Sequence, residues 1–281
     1  MSFEILSYGF VQKGLVAGIA IAIICSLMGV FLVLRRYSLF GDAVSHMAFG
    51  GISVGMLVGV YPLWTAFVVS ILGALGITKL RKSTKISGDA AIAVLLVSGF
   101  GIGVLLISIT DGFKVDLFSF LFGSILLISL EDTLSIIAIS TGVVAAVVVL
   151  RKQLLHLTFD EEQAKVSGIN VDRLNYIFVV LASITVITSM RLVGILMISA
   201  LIVLPNITSM MFGKGFKKTI AISMSISVSS VVSGIVLSYY WDLAPSGVIV
   251  MISVAILVGV LVAKYFGIVG RKPVEQLSSK T

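Results

Sequence analysis

Of the 281 residues, one is cysteine and two are histidine. Cys25 alone can build neither a disulfide framework nor a thiol metal cluster, and its place inside an apolar run suits a small buried hydrophobe. His46 and His156 lie in separate segments, so no His-Glu-x-x-His pair exists and an intramembrane metalloprotease of that type is excluded; a serine hydrolase is not expected either. A phosphate-cradling Gly-x-x-x-x-Gly-Lys-Ser/Thr loop is also missing, since Gly213-Lys214-Gly215-Phe216-Lys217-Lys218-Thr219 has the wrong spacing. The chain is therefore not expected to be an enzyme, and any ATP hydrolysis belongs to a separate subunit. Charge is scarce, at 12% of residues. The net charge of +7 would suit nucleic acid if the basic residues stood together, but they fall in small clusters between apolar runs, and no nucleic-acid partner is expected. Met1 to Glu4 lacks the basic start of a cleaved leader, so the first apolar run is expected to remain as a span.

What fills the chain instead is hydrocarbon. A 58% hydrophobic composition and a mean hydropathy of +1.18 describe a multi-pass protein of the cell membrane. No stretch is long enough to fold as a soluble domain, so residues 1–281 read as one all-α transmembrane bundle. Its polar parts are a loop at about 151–173 and a short tail at 271–281. Apolar runs near the ~20 residues that a bilayer requires fall at roughly 14–34, 43–60, 63–79, 90–109, 133–150, 174–190, 193–212, 219–240 and 246–266. These predict nine spans, or eight if one segment only dips into the membrane. The shorter apolar stretch Leu117 to Leu130 suits a re-entrant segment.

Charge placement supports the same layout. With Arg35 and Arg36 in the cytoplasm, alternation puts Lys79 to Lys85, the 151–173 loop, Lys214 to Lys218 and everything from Lys264 onward on that side. Of the 20 basic residues only Lys13, Lys114 and Arg191 fall on the other side. This is the bias that orients membrane proteins.

Against this apolar background, Gly41-Asp42-Ala43-Val44-Ser45-His46 stands out. A carboxylate inside a membrane helix costs about 2.5 to 3.5 kcal/mol on insertion scales, so it needs a partner, a wet cavity or a task. Positions i and i+4 share one helix face. Asp42 and His46 thus present a carboxylate oxygen and an imidazole nitrogen together, a donor pair suited to first-row divalent cations. The competing structural readings are a helix cap for Asp42 and a packing role for His46. Asp89, directly after Gly88 at a helix start, reads as a cap, and His156 as a solvated loop residue. Glycines four apart, such as Gly51, Gly55 and Gly59, read as close helix packing, and Gly99, Gly101 and Gly103 as packing or local flexibility.

In the long loop, Thr158-Phe159-Asp160-Glu161-Glu162-Gln163-Ala164-Lys165-Val166-Ser167-Gly168-Ile169 predicts a short surface helix. Thr158 or Asp160 would cap its start, the acidic residues suit its first turn, and Gly168 suits its end. Phe159, Ala164, Val166 and Ile169 give it a mixed face that serves equally a connector, a protein dock or the lipid interface.

The order of several local patterns is more specific than any one of them. They are Gly41 to His46; Asp89-Ala90-Ala91-Ile92-Ala93-Val94; Asp116-Leu117-Phe118-Ser119-Phe120-Leu121-Phe122-Gly123-Ser124-Ile125-Leu126; Phe159 to Ile169; Arg191-Leu192-Val193-Gly194-Ile195-Leu196; Leu204-Pro205; and Pro245-Ser246-Gly247. Over about residues 10 to 268 the series resembles the permease subunits of ABC importers for manganese, zinc and iron. Asn206 stands where that family commonly has a small residue, and Phe120 where Tyr is common.

The resemblance implies that Asp42 and His46 help form a metal site in the translocation pathway, with the ion as cargo and no permanently bound cofactor. It implies that Phe159, Asp160, Glu161, Glu162, Ala164 and Gly168 belong to a coupling helix meeting an ATP-binding cassette ATPase. An extracytoplasmic metal-binding protein would deliver the ion, and a homodimer would supply two Asp and two His to one site. Asn206 would either line the pathway or bond backbone freed by Pro205. A gradient-driven secondary cation transporter is the alternative, distinguished by whether the loop helix binds an ATPase.

Overall fold

The computed structural model describes residues 8–84, 86–109, 120–124 and 128–267; among them there is no β-strand. Ten helices follow in chain order: α1 (Gly9–Leu34), α2 (Phe40–Val58), α3 (Pro62–Thr84), α4 (Gly88–Ile109), α5 (Leu130–Phe159), α6 (Glu161–Val166), α7 (Val171–Val193), α8 (Ile198–Met210), α9 (Phe216–Trp241) and α10 (Pro245–Tyr265). Local chemistry sets many of their ends. Ser129 and Asp132 form a reciprocal capping box at the start of α5, with Asp132 N donating to Ser129 Oγ at 3.1 Å and Ser129 N to Asp132 Oδ2 at 3.0 Å. Pro245 opens α10, where its missing amide costs no hydrogen bond.

Every one of the nine predicted runs holds a helix, but they are not equivalent. Seven are long and apolar enough to cross a membrane: α1, α3, α4, α5, α7, α9 and α10. The expectation of eight or nine full spans narrows accordingly. In α2 the polar pair and the glycines dilute the hydrocarbon, and α8 has only 13 residues. At 1.5 Å per residue α8 spans roughly 20 Å of a ~30 Å hydrocarbon layer. It is short because residues 194–197 leave the helical path, turning the amides of Ile195 and Leu196 to the carbonyls of Phe120 and Leu121. The proposed re-entrant segment at 117–130 is described only at 120–124 and 128–130.

α1 and α7 form the centre. α1 packs against α5, α7, α8 and α9, and α7 also touches α2 and α3. On one side α2 lies between α3 and α4, and on the other α8, α9 and α10 form a second cluster. Buried serines and threonines return their hydroxyls to carbonyls one turn back, as Ser26 does to Ala22 (2.8 Å) and Ser53 to Phe49 (3.0 Å). Such bonds satisfy polar groups where no water reaches.

Candidate functional site

The site begins at the turn between α1 and α2. Tyr37 N donates to Leu32 O at 2.8 Å and Phe40 N to Tyr37 O at 3.0 Å, which fixes where α2 starts. Asp42 sits in its first turn, where the exposed amides of a helix N-terminus favour negative charge. His46 follows one turn later. Both side chains are half-buried, while Ala43, Val44 and Ser45 between them are buried.

The His46 ring meets Phe100 of α4 edge-on at 5.4 Å, and Phe100 stacks on Phe49 at 5.9 Å. The Nδ1 of His46 is buried without a hydrogen-bond partner. An imidazole nitrogen left so is costly as packing and useful as a ligand. Among the described residues no group of three or more His, Cys, Asp or Glu side chains is close enough to hold a metal, so Asp42 and His46 are two donors without a third. α4 reaches His46 because residue 99 is glycine: a Cβ there would lie 2.5 Å from the backbone N and Cα of Met47 and 2.7 Å from the His46 carbonyl carbon. Sequence reasoning gave Gly99 a packing role without its partner and missed Phe100, since no local pattern links residues 46 and 100.

Asn206 is fully buried in α8. Its Nδ2 donates to Ile202 O at 2.6 Å, Ser223 Oγ donates to its Oδ1 at 2.7 Å, and Ser209 Oγ donates to its carbonyl at 2.8 Å. Its amide bonds the carbonyl one turn back and joins α8 to α9, away from the Asp42 and His46 pair in sequence and in bonding. The cap of α4 also differs from expectation: Ser87 accepts from Ala90 N at 3.3 Å, and exposed Asp89 stands inside the first turn. His156 is exposed near the end of α5, and Cys25 pairs with Ser189 Oγ at 3.1 Å in the core. The letters Gly-x-Ser-x-Gly do occur, as Gly51 to Gly55, but within α2, where Ser53 is buried and back-bonded; a nucleophile elbow needs a strand-to-helix turn.

The predicted loop helix is α6. Asp160 ends α5 and caps α6, its Oδ1 accepting from Gln163 N at 2.9 Å, whereas Thr158 bonds back into α5 at Leu154 O. At the other end Ile169 N donates to Ala164 O (3.1 Å) and Gly168 N to Lys165 O (3.0 Å), the paired bonds of a Schellman close, with Gly168 at φ +80°. Ala164 points inward and is fully buried, while Phe159 and Val166 are 67% and 89% exposed. Glu162 is exposed, but Glu161 is half-buried and accepts from Asn175 of α7. The segment thus presents an apolar pair outward from an anchored base.

Three of the ordered sequence patterns converge at the opposite end of the bundle. Ser124 N donates to Arg191 O (3.2 Å), Ile195 N to Phe120 O (3.0 Å), and Ser246 Oγ to Phe122 O (2.6 Å). Gly123 and Gly194, both at positive φ, lie backbone against backbone there. Arg191 pairs with Asp132 and donates to the Tyr61 hydroxyl at 2.7 Å.

A multi-pass helical bundle with a polar donor pair in one helix and an anchored loop helix at one end has the form of a transport permease. Residues 7–264 match the model of the ABC 3 transport family, and the chain belongs to that family. It is 36% identical over 262 residues to a "Probable metal transport system membrane protein" of Treponema pallidum, covering 93% of this chain and 98% of that one. It is 29% identical over 250 residues to the "Manganese transport system membrane protein MntC" of Halalkalibacterium halodurans, covering 89% and 86%. Its fold is similar to a chain of "PsaBC from Streptococcus pneumoniae in complex with Fab", with a TM-score of 0.82, 28% identity, and 92% and 93% of the two chains covered.

Proposed function

We propose that this chain is the membrane-spanning subunit of an ATP-driven importer for a divalent transition metal ion, of the class of manganese, zinc or ferrous iron. The observation that carries the reading is the Asp42 and His46 pair: two donors one turn apart on α2, half-buried, with the Nδ1 of His46 unspent. Two copies about a twofold axis would offer four donors, enough for a divalent ion yet without the permanence of a thiolate site. Cargo must bind and then leave, which favours such a moderate donor set.

The exposed Phe159 at the end of α5 and Val166 at the end of α6 supply the surface on which a separate ATPase would dock. Closure of two ATPase copies would move the paired α6 helices and open the central path alternately to each side. A binding protein on the extracytoplasmic side would supply the ion.

The test is uptake of manganese and zinc into vesicles carrying the chain with its ATPase and binding protein, comparing wild type with His46→Ala. ATP-dependent uptake that vanishes in the variant supports both class and site. Uptake that proceeds without ATP identifies a gradient-driven carrier instead, and uptake that survives His46→Ala returns this histidine to packing.

A further inference from the structure

Beneath α6, the cytoplasmic ends of α1, α3 and α7 hold a connected set of side chains that neither the metal pair nor the exposed face of α6 uses. Arg35 and Arg36 are adjacent but behave oppositely. Arg36 is exposed, as an orientation charge should be. Arg35 turns inward: Nη2 donates to Asn175 Oδ1 at 2.6 Å, and the guanidinium lies over the rings of Phe178 at 4.7 Å and Tyr37 at 5.2 Å. The same Asn175 amide donates through Nδ2 to Glu161 Oε1 at 3.5 Å, and Glu161 is the first residue of α6. Tyr37 in turn is held by Arg81 of α3 at its hydroxyl, and its ring stacks on Phe40, the first residue of α2, at 6.5 Å. Each link from Glu161 to Phe40 is therefore a direct side-chain contact. Asp42 follows two residues later.

The set is not saturated. Arg35 Nη1 is buried without a hydrogen-bond partner. Burial pulls the Arg35 guanidinium down to about 10, Glu161 restores part of the loss, and Arg81 adds to it, so the group stays charged at neutral pH. A buried cation with a spare donor is expensive unless a partner can reach it. The acid nearest in this network is Glu161, and a cleft of about 410 Å³ lined by Arg35, Tyr37, Arg81 and Glu161 gives its carboxylate room to move. Glu161 is bonded to Asn175, and Arg35 lines the same cleft.

We propose that Glu161, Asn175 and Arg35 form a relay in which displacement of α6 shifts Glu161 from Asn175 to the spare donor of Arg35, and the Arg35, Tyr37 and Phe40 stack passes the shift into the first turn of α2. The inference rests on the importer reading. These are positioning residues, since none of them reaches the ion. A two-state element biased from both ends is the physical requirement for such coupling.

The discriminating variant is Asn175→Asp, which keeps an acceptor for Arg35 and removes the donor to Glu161. In the assembled complex of permease, ATPase and binding protein in vesicles, both ATP hydrolysed and manganese taken up are measured. Coupling of 1–3 kcal/mol corresponds to 5–150-fold, so manganese carried per ATP should fall by about tenfold in Asn175→Asp while the complex stays assembled and hydrolyses ATP. Arg35→Gln and Glu161→Gln should lower the same ratio, and Asn175→Asp combined with Arg35→Gln should be no worse than the worse single change. An unchanged ratio in Asn175→Asp, loss of ATPase assembly in that variant, or single effects that multiply in the double would overturn the relay. If wild type moves manganese without ATP, the importer reading itself fails, an outcome distinct from a coupled wild type with indifferent variants.

Discussion

Asp42 and His46 differ in what each contributes to the bundle, and substitution should separate their roles. Asp42→Asn keeps the shape and an acceptor oxygen while removing a charge that costs about 2.5 to 3.5 kcal/mol to place within hydrocarbon. Its thermal unfolding in detergent should therefore match or exceed wild type, while manganese uptake falls at least tenfold; Leu39, not Asp42, is the N-cap of α2, so a stability loss alongside would mark the Asp42 charge as a partner of the helix N-terminus. His46→Ala removes the ring that Phe100 meets and should leave ATPase assembly intact as judged by co-purification. The pair was legible in the sequence because helical spacing alone puts positions four apart on one face. Arg35 was not. Beside Arg36 it reads as another orientation charge, and its inward turn depends on Asn175, 140 positions later.

Helices here meet through glycine at places that allow a sharp comparison. Gly99→Ala would drive a Cβ into the Met47 backbone beneath His46, whereas Gly101, on the same helix, has nothing within 4 Å of an added Cβ. The first change should lower stability by roughly 1–3 kcal/mol through overpacking and reduce uptake, and the second should do neither. Thermal unfolding and uptake of the two variants side by side check this. At the other site, Gly168→Ala places a side chain at φ +80° at a cost of roughly 1–2 kcal/mol. The Schellman close should loosen and ATPase co-purification weaken, while unfolding of the membrane bundle is unchanged. The existence and ends of α6 followed from local chemistry, namely Asp160 and Gly168. Which of its apolar residues point outward did not, because Ala164 is turned inward by contacts with the rest of the bundle.

For the molecule as a whole, alternation of the helices puts every strongly basic turn on one side. With Cys25 replaced by Ser, a single cysteine at position 82 should react with a membrane-impermeant maleimide only in inside-out vesicles, and one at position 242 only in right-side-out ones. The reverse pattern would invert the proposed sidedness. The order of spans was readable because hydrocarbon runs and basic clusters alternate along the chain. Their inequality was less so: α2 and α8 owe their places to neighbours that cover them, and composition reports a helix without reporting its surroundings.

The central place of α1 has a further consequence, for assembly. Most of its length is buried, against α5, α8 and α9, which are synthesised much later than α1. A nascent chain that stops before residue 198 therefore leaves a glycine-bearing face of α1 against lipid tails. A segment that enters the bilayer before its partners exist is thus among the last to reach its final surroundings, and the interval between them is when a chaperone or a membrane protease would find this protein.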